Sequence, residues 1–171
     1  MTQTPKTTRK SSTVVAKTSR KKSPALPPNP FVHEILEYIS KKKSKIAKIE
    51  ALKDYRNDAL VSILIWNFDE TVVSMIPEGD VPFTPNESPL GTDHTSLRRE
   101  GKNLYHFVKG GNDTLNGIRR ETMFIQMLEG LHPSEARIVI LAKDKRLSNE
   151  YAVTYDQVKE AYPDINWGGR S

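Results

Sequence analysis

The 171-residue chain contains no cysteine, which excludes a disulfide framework, a thiolate nucleophile and a cysteine-ligated zinc site. Long hydrophobic runs are missing too, since the longest, over residues 60–66, is far short of the ~18 apolar residues of a membrane-spanning helix. No apolar segment follows the basic residues near the N-terminus, so the N-terminus does not resemble a secretory signal. We expect a soluble intracellular protein without a membrane partner.

Acidic residues are absent from residues 1–29, which carry seven basic side chains and a formal charge of +7. The other 142 residues hold 19 basic and 21 acidic side chains, a charge of −2. Residues 1–29 also include ten Ser or Thr and four Pro. They have too little apolar surface to offset the ~1–2 kcal/mol of backbone entropy lost per ordered residue. We predict that residues 1–29, here called the basic arm, are disordered.

Apolar residues recur at helical spacing through most of residues 30–171. Asn29 followed by Pro30 is typical of a helix start, and Ser44 predicts a second one. Residues 58–66 are apolar on nearly every side, which predicts a helix in the centre of the core. The pattern favours a mainly α-helical, single compact domain of about six or seven helices over residues 30–171.

Glycine, proline and capping residues predict the later helix boundaries. A helix over residues 97–109 is expected to end at two glycines, and the next to begin near residue 112 or 114 and end at Gly130. Pro133 suits the first position of another helix. Thr154, followed three residues later by Gln, predicts a capping box.

A long proline-rich loop interrupts the helical pattern. Residues 77–92 contain four prolines, which exclude a regular helix or a central strand. Loops of this length are usually functional or disordered. Val81 and Phe83 suggest that this one is attached to the body, and together with Trp66 and Phe68 they are the candidate protein-binding residues.

Three blocks of the sequence, residues 66–83, 119–136 and 142–164, carry a resemblance that spans residues 31–167. They resemble a small-protein family of unknown function that is encoded by large contractile-tailed phages, including those of cyanobacteria. It implies a viral protein made in the cytoplasm of a bacterial host. It implies no activity and no catalytic residues.

The basic residues of the arm alternate with Ser and Thr, as in proteins that lie along phosphate backbones. This pattern predicts non-specific nucleic-acid binding, with DNA as the expected ligand. A second basic cluster follows the first predicted helix and is expected to contribute to the same binding. The candidate residues are Lys6, Arg9, Lys10, Lys17, Arg20, Lys21, Lys22, Lys41, Lys42 and Lys43. The alternatives are a solvated tail, a docking segment for an acidic protein and, for the last three, a solvated helix face.

No spacing in the sequence is typical of catalysis or of metal binding. The four histidines do not pair at metal-ligand spacing, and no phosphate-binding glycine loop is found. Asp69 and Asp80 offer carboxylates suited to Mg²⁺, but a turn-capping role is favoured for Asp69. We predict no catalytic residue, no metal, no cofactor and no enzymatic activity.

The leading hypothesis is a non-enzymatic phage accessory protein that binds nucleic acid electrostatically through the basic arm. Its helical body would contact a phage or host protein. One alternative is a protein–protein adaptor that acts through the proline-rich loop without a nucleic-acid role. The other is a component of the virion whose arm contacts packaged DNA.

Overall fold

The computed structural model describes residues 26–169, so most of the basic arm, and the prediction that it is disordered, lies outside the described residues. The helices are α1 (Val32–Ser40), α2 (Lys45–Asp54), α3 (Asp58–Phe68), α4 (Leu97–Glu100), α5 (Gly117–Gly130), α6 (Pro133–Lys143) and α7 (Tyr155–Ala161), with 3₁₀ helices at Gly101–Phe107 and Leu147–Asn149. Within residues 26–169 there is no β-strand, only an isolated bridge between Ser74 and Val108. The prediction of a mainly α-helical domain with about seven helices is confirmed.

Helix α3 lies at the centre of the core, as its apolar sequence predicts. It packs against α6, α4 and the first 3₁₀ helix, while α2 packs against α7 and α1 contacts both α2 and α6. Near its end, Trp66 stacks on Phe107 with 6.4 Å between ring centroids and meets Phe124 edge-on. Because these rings come from three different elements, they join α3, α5 and the 3₁₀ helix into one hydrophobic core.

Local capping chemistry sets most of the helix boundaries. The Ser44 side chain accepts from the Ala47 N–H, His132 precedes Pro133 as the N-cap of α6, and Thr154 forms its predicted capping box. The expected start at Asn29 and Pro30 is wrong, because α1 begins at Val32. The N–H of the preceding residue instead donates to the Glu34 carboxylate, so this cap comes from inside the helix.

Two predictions for residues 97–116 are also wrong. The continuous helix over residues 97–109 is instead the single turn of α4 followed by the 3₁₀ helix. Leu104 and Phe107 are both buried there at a spacing of three, which suits a 3₁₀ helix because its side chains align at that interval. Helix α5 begins later than expected, after Asn116, whose side chain accepts from the N–H three residues ahead.

The proline-rich loop is attached to the body, as predicted. Val81 and Phe83 are half-buried and pack against the core. The Lys143 ammonium donates to the carbonyl oxygens of Pro77 and Gly79, each at 2.9 Å. Anchoring of this kind positions the loop without regular structure. Among residues 26–169, no helix is long and apolar enough to cross a membrane.

Candidate nucleic-acid interface

The described chain begins beside the lysines that the sequence singles out. Leu26, four residues after the last basic residue of the arm, lines a surface groove of about 550 Å³ together with Lys41, Lys42 and Lys43. We call these three residues the lysine corner. The structure thus places the predicted basic residues of the body where the basic arm joins it. The seven candidate residues of the arm itself lie outside the described residues.

The lysine corner connects two helices whose ends are fixed by serines. The Ser40 hydroxyl donates to the Leu36 carbonyl in the last turn of α1, and Ser44 caps α2. Only three residues, Lys41, Lys42 and Lys43, remain between these serines. Lys41 and Lys43 are exposed and Lys42 is half-buried.

Other lysines of the same region are used within the fold. The Lys45 ammonium lies 3.2 Å from the Glu160 carboxylate, and the Lys48 ammonium donates to the Ala152 carbonyl at 2.5 Å. Both contacts tie α2 to the segment around α7. The basic surface that faces the arm is therefore narrower than the run of lysines in the sequence indicates.

An aromatic side chain and two carboxylates line the same groove. The Lys42 ammonium lies 4.2 Å from the centroid of the Tyr38 ring, a cation–π distance. The ring of Tyr55 meets Tyr38 edge-on at 5.3 Å. Glu34 and Glu37 complete the lining. We call this groove, which joins cationic, anionic and aromatic groups, the Tyr38 groove.

The four candidate protein-binding residues do not form one surface. Trp66 is 2% exposed, and its indole N–H donates to the Ser74 hydroxyl at 2.7 Å. The interpretation of Trp66 as a partner contact is therefore wrong, because its ring lies inside the core. Phe68 is half-buried and stacks on Tyr155 at 6.1 Å. Val81 and Phe83 are half-buried in the proline-rich loop and pack on the core.

The carboxylate of Asp69 caps a turn, as the sequence analysis favours. Asp69 is fully buried, and its Oδ1 accepts from the Thr71 N–H at 2.9 Å and from the Thr71 hydroxyl at 2.6 Å. Asp80 is exposed. Within residues 26–169 no group of three or more histidines and carboxylates is arranged to hold a metal ion.

A buried carboxyl group escaped the sequence analysis. Glu135 is 0% exposed in the first turn of α6, and its Oε1 accepts from the Leu97 N–H at 3.3 Å. Burial raises the pKa of Glu135 to about 7, and the nearby Asp93 adds to the rise. Backbone N–H groups of Leu97 and Val32, together with Arg98, oppose it. This carboxyl is thus held where the first turns of α1, α4 and α6 meet.

A buried histidine lies close to the same junction. His33 is 6% exposed and stacks on His132, with 5.4 Å between ring centroids. Burial lowers the pKa of His33, and the neighbouring His132 lowers it further. Within the described residues, His33 Nδ1 and Glu135 Oε2 have no hydrogen-bond partner. The sequence gives no sign of this junction, because a Glu in a first helical turn is usually exposed.

A family model matches residues 35–149 of the chain, and the family is described as a family of unknown function, DUF6433. The match begins within α1 and runs through α6, so it includes the lysine corner and Glu135, whereas His33 lies before it. No curated protein and no solved structure matches the chain.

Proposed function

The chain belongs to this family of unknown function, and we propose that it is a non-enzymatic protein that binds nucleic acid through its basic arm and its lysine corner. The arm supplies seven positive charges and no negative ones. Lys41, Lys42 and Lys43 add three charges beside the point where the arm joins the body. Cations in this arrangement release counterions from a phosphate backbone, which makes the binding electrostatic and independent of sequence.

The observation that carries the proposal is the shared groove of Leu26 and the lysine corner. A nucleic-acid strand held by the arm passes close to the body at Leu26. The cations that line the same groove as Leu26 are those of the corner, two of which are exposed. The body as a whole is close to neutral in charge, so binding over its entire surface is not favoured.

The resemblance to phage proteins supports a role during infection of a bacterial host. We propose that the protein acts in the host cytoplasm and that the helical body contacts a phage or host protein. The same basic residues also suit the alternative, a virion component whose arm contacts packaged DNA. Mass spectrometry of purified particles separates these two placements, since only a virion component is found in them.

The test is a salt titration of binding to a short DNA duplex. Full engagement of the seven arm charges predicts a slope of log K against log salt of about −6, and engagement of the corner as well predicts about −9. The variants keep the full chain. In one, all seven basic residues of the arm are replaced by Gln, and in another Lys41 and Lys43 are replaced by Gln.

We expect the arm variant to lose most of its affinity and the corner variant to have a slope that is shallower by about 2. The control carries Lys102→Gln and Lys109→Gln, which remove the same charge from exposed positions outside the groove. If the corner variant and this control lose affinity equally, the lysine corner is not part of the interface. Absence of binding by the wild type at ~50 mM salt, where electrostatic attraction is strong, would contradict the whole proposal.

A further inference from the structure

The Tyr38 ring is held in a fixed orientation at the side of the groove. The ring of Tyr55 meets it edge-on at 5.3 Å. The Tyr55 hydroxyl in turn accepts from the Leu26 N–H at 3.4 Å. Two contacts in series therefore position the Tyr38 ring beside the place where the arm joins the body.

One face of this ring is covered by a side chain of the lysine corner. The Lys42 ammonium lies over it, 4.2 Å from the centroid, so that face carries a side chain from the lysine corner and not atoms of the core. A flat π system can take the place of an ammonium group on an aromatic face. The long, flexible stem of Lys42 then lets its charge move to a phosphate.

The charges in the groove favour a base over a phosphate next to the α1 wall. Glu34 and Glu37 line that wall, and carboxylates repel phosphates but accept hydrogen bonds from the amino groups of bases. The lysine corner lines the same groove and attracts phosphates. The volume of about 550 Å³ is ample for a single nucleotide.

We propose that the Tyr38 groove binds the base of an unpaired nucleotide, stacked on Tyr38, while the lysine corner contacts the adjoining phosphates. This inference rests on the proposed function and names its ligand as a single strand. Duplex bases are already stacked and cannot enter the groove, whereas an unpaired base can. The protein therefore prefers single-stranded over double-stranded nucleic acid of the same length.

The experiment compares three fluorescent probes with the full chain at one low salt concentration. The probes are a single strand of about ten nucleotides, within the site size of single-strand binders, a duplex of equal length, and a strand that has abasic sites in place of bases. The variants are Tyr38→Leu, which keeps an apolar side chain, and Tyr38→Phe, which keeps the ring. Tyr105→Leu is the matched control, since Tyr105 is exposed outside this groove.

We expect Tyr38→Leu to weaken single-strand binding by about 5- to 150-fold, the range for loss of one stacked base, and to leave duplex binding unchanged. Tyr38→Phe and Tyr105→Leu should bind like the wild type. The abasic strand should bind the wild type more weakly than the normal strand, and this measurement does not depend on whether a variant folds.

Two results overturn the inference and leave the proposed function standing. They are equal affinity of the wild type for the normal and abasic strands, and an equal effect of Tyr38→Leu on single strand and duplex. Either result would mean that the protein binds only the charged phosphate backbone of the nucleic acid. Failure of the wild type to bind any probe overturns the inference together with the proposed function.

Discussion

Lys143 and Asp144, consecutive residues at the end of α6, form a buried ion pair in which Nζ lies 2.6 Å from Oδ1. Both residues also bind the proline-rich loop. Lys143 donates to the carbonyl oxygens of Pro77 and Gly79, and Asp144 Oδ2 accepts from the Gly79 N–H at 3.1 Å. The pair thus joins the proline-rich loop to the end of α6.

Replacing Lys143 by Met should destabilise the protein by about 3–5 kcal/mol, because it leaves the Asp144 carboxylate buried without its cation. Urea unfolding measures this loss. The matched control is Lys53→Met, an exposed lysine of α2, which should change the free energy of unfolding by less than about 0.5 kcal/mol. Similar losses in the two variants would show that the ion pair has no special structural role.

Helix starts that depend on neighbouring residues were predictable from the sequence. Ser44 and Thr154 each accept from an N–H three residues ahead, and Pro133 suits the first helical position because it has no N–H, so their residue types alone indicate the helix start. The start of α1 was missed because two features of the sequence competed. Asn29 and Pro30 favour one start, but Glu34 caps another from within the helix.

Long-range contacts could not be predicted in this way. Glu135 binds a backbone group 38 residues away, and Lys143 binds one 66 residues away. Nothing in the local sequence distinguishes these charged residues from exposed ones. Trp66 shows the converse, since an aromatic next to a polar loop suggests a surface role until the rings that surround it are known. Lys41 and Lys43 are exposed, as a run of three lysines indicates, whereas Lys42 is half-buried.

The raised pKa of Glu135 predicts how stability changes with pH. Its carboxyl ionises near 4.5 in the unfolded chain and near 7 in the folded one, so the folded state binds more protons between these values. The free energy of unfolding should therefore fall as the pH rises from 4.5 to 7, by up to about 3 kcal/mol. Glu135→Gln cannot ionise and should lack this part of the dependence.

Urea unfolding at about pH 5 and about pH 8 tests this dependence. The stability of Glu135→Gln relative to the wild type should rise between the two measurements. The lowered pKa of His33 acts in the opposite direction on the acid side, but it is present in both proteins and cancels in the difference. Glu121→Gln, at an exposed position of α5, serves as the control. A difference that does not vary with pH would show that Glu135 ionises normally in the folded protein.

Two glycines should respond to alanine with opposite signs. A Cβ atom on Gly101 would lie 2.9 Å from the Cα of Ala59 in α3, whereas one on Gly117 would meet no heavy atom within 4 Å. We expect Gly101→Ala to destabilise by about 1–3 kcal/mol through this clash. Gly117→Ala should stabilise by up to about 1 kcal/mol because alanine loses less backbone entropy in a helix. Thermal unfolding measures both, and a neutral Gly101→Ala would mean that α3 and the first 3₁₀ helix are less closely packed.

Two adjacent arginines at the start of α5 should contribute very differently to the free energy of unfolding. Arg120 is 5% exposed, and its guanidinium donates to the carbonyl oxygens of His106, Asn112 and Leu115 at 2.9–3.0 Å. Arg119 is exposed. Arg120→Met should destabilise by about 2–4 kcal/mol because it leaves these carbonyls unpaired, whereas Arg119→Met should cost less than about 0.5 kcal/mol.

The Arg120 guanidinium binds carbonyl oxygens within one segment, residues 106–115. Its replacement should therefore weaken this segment locally and also lower the stability of the whole protein. Hydrogen exchange in Arg120→Met should accelerate first in that segment. Arg120→Lys should recover only part of the stability, since an ammonium group cannot reproduce the planar geometry of a guanidinium. Equal stability of the Lys and Arg proteins would show that charge alone, and not the three directed hydrogen bonds, holds the segment in place.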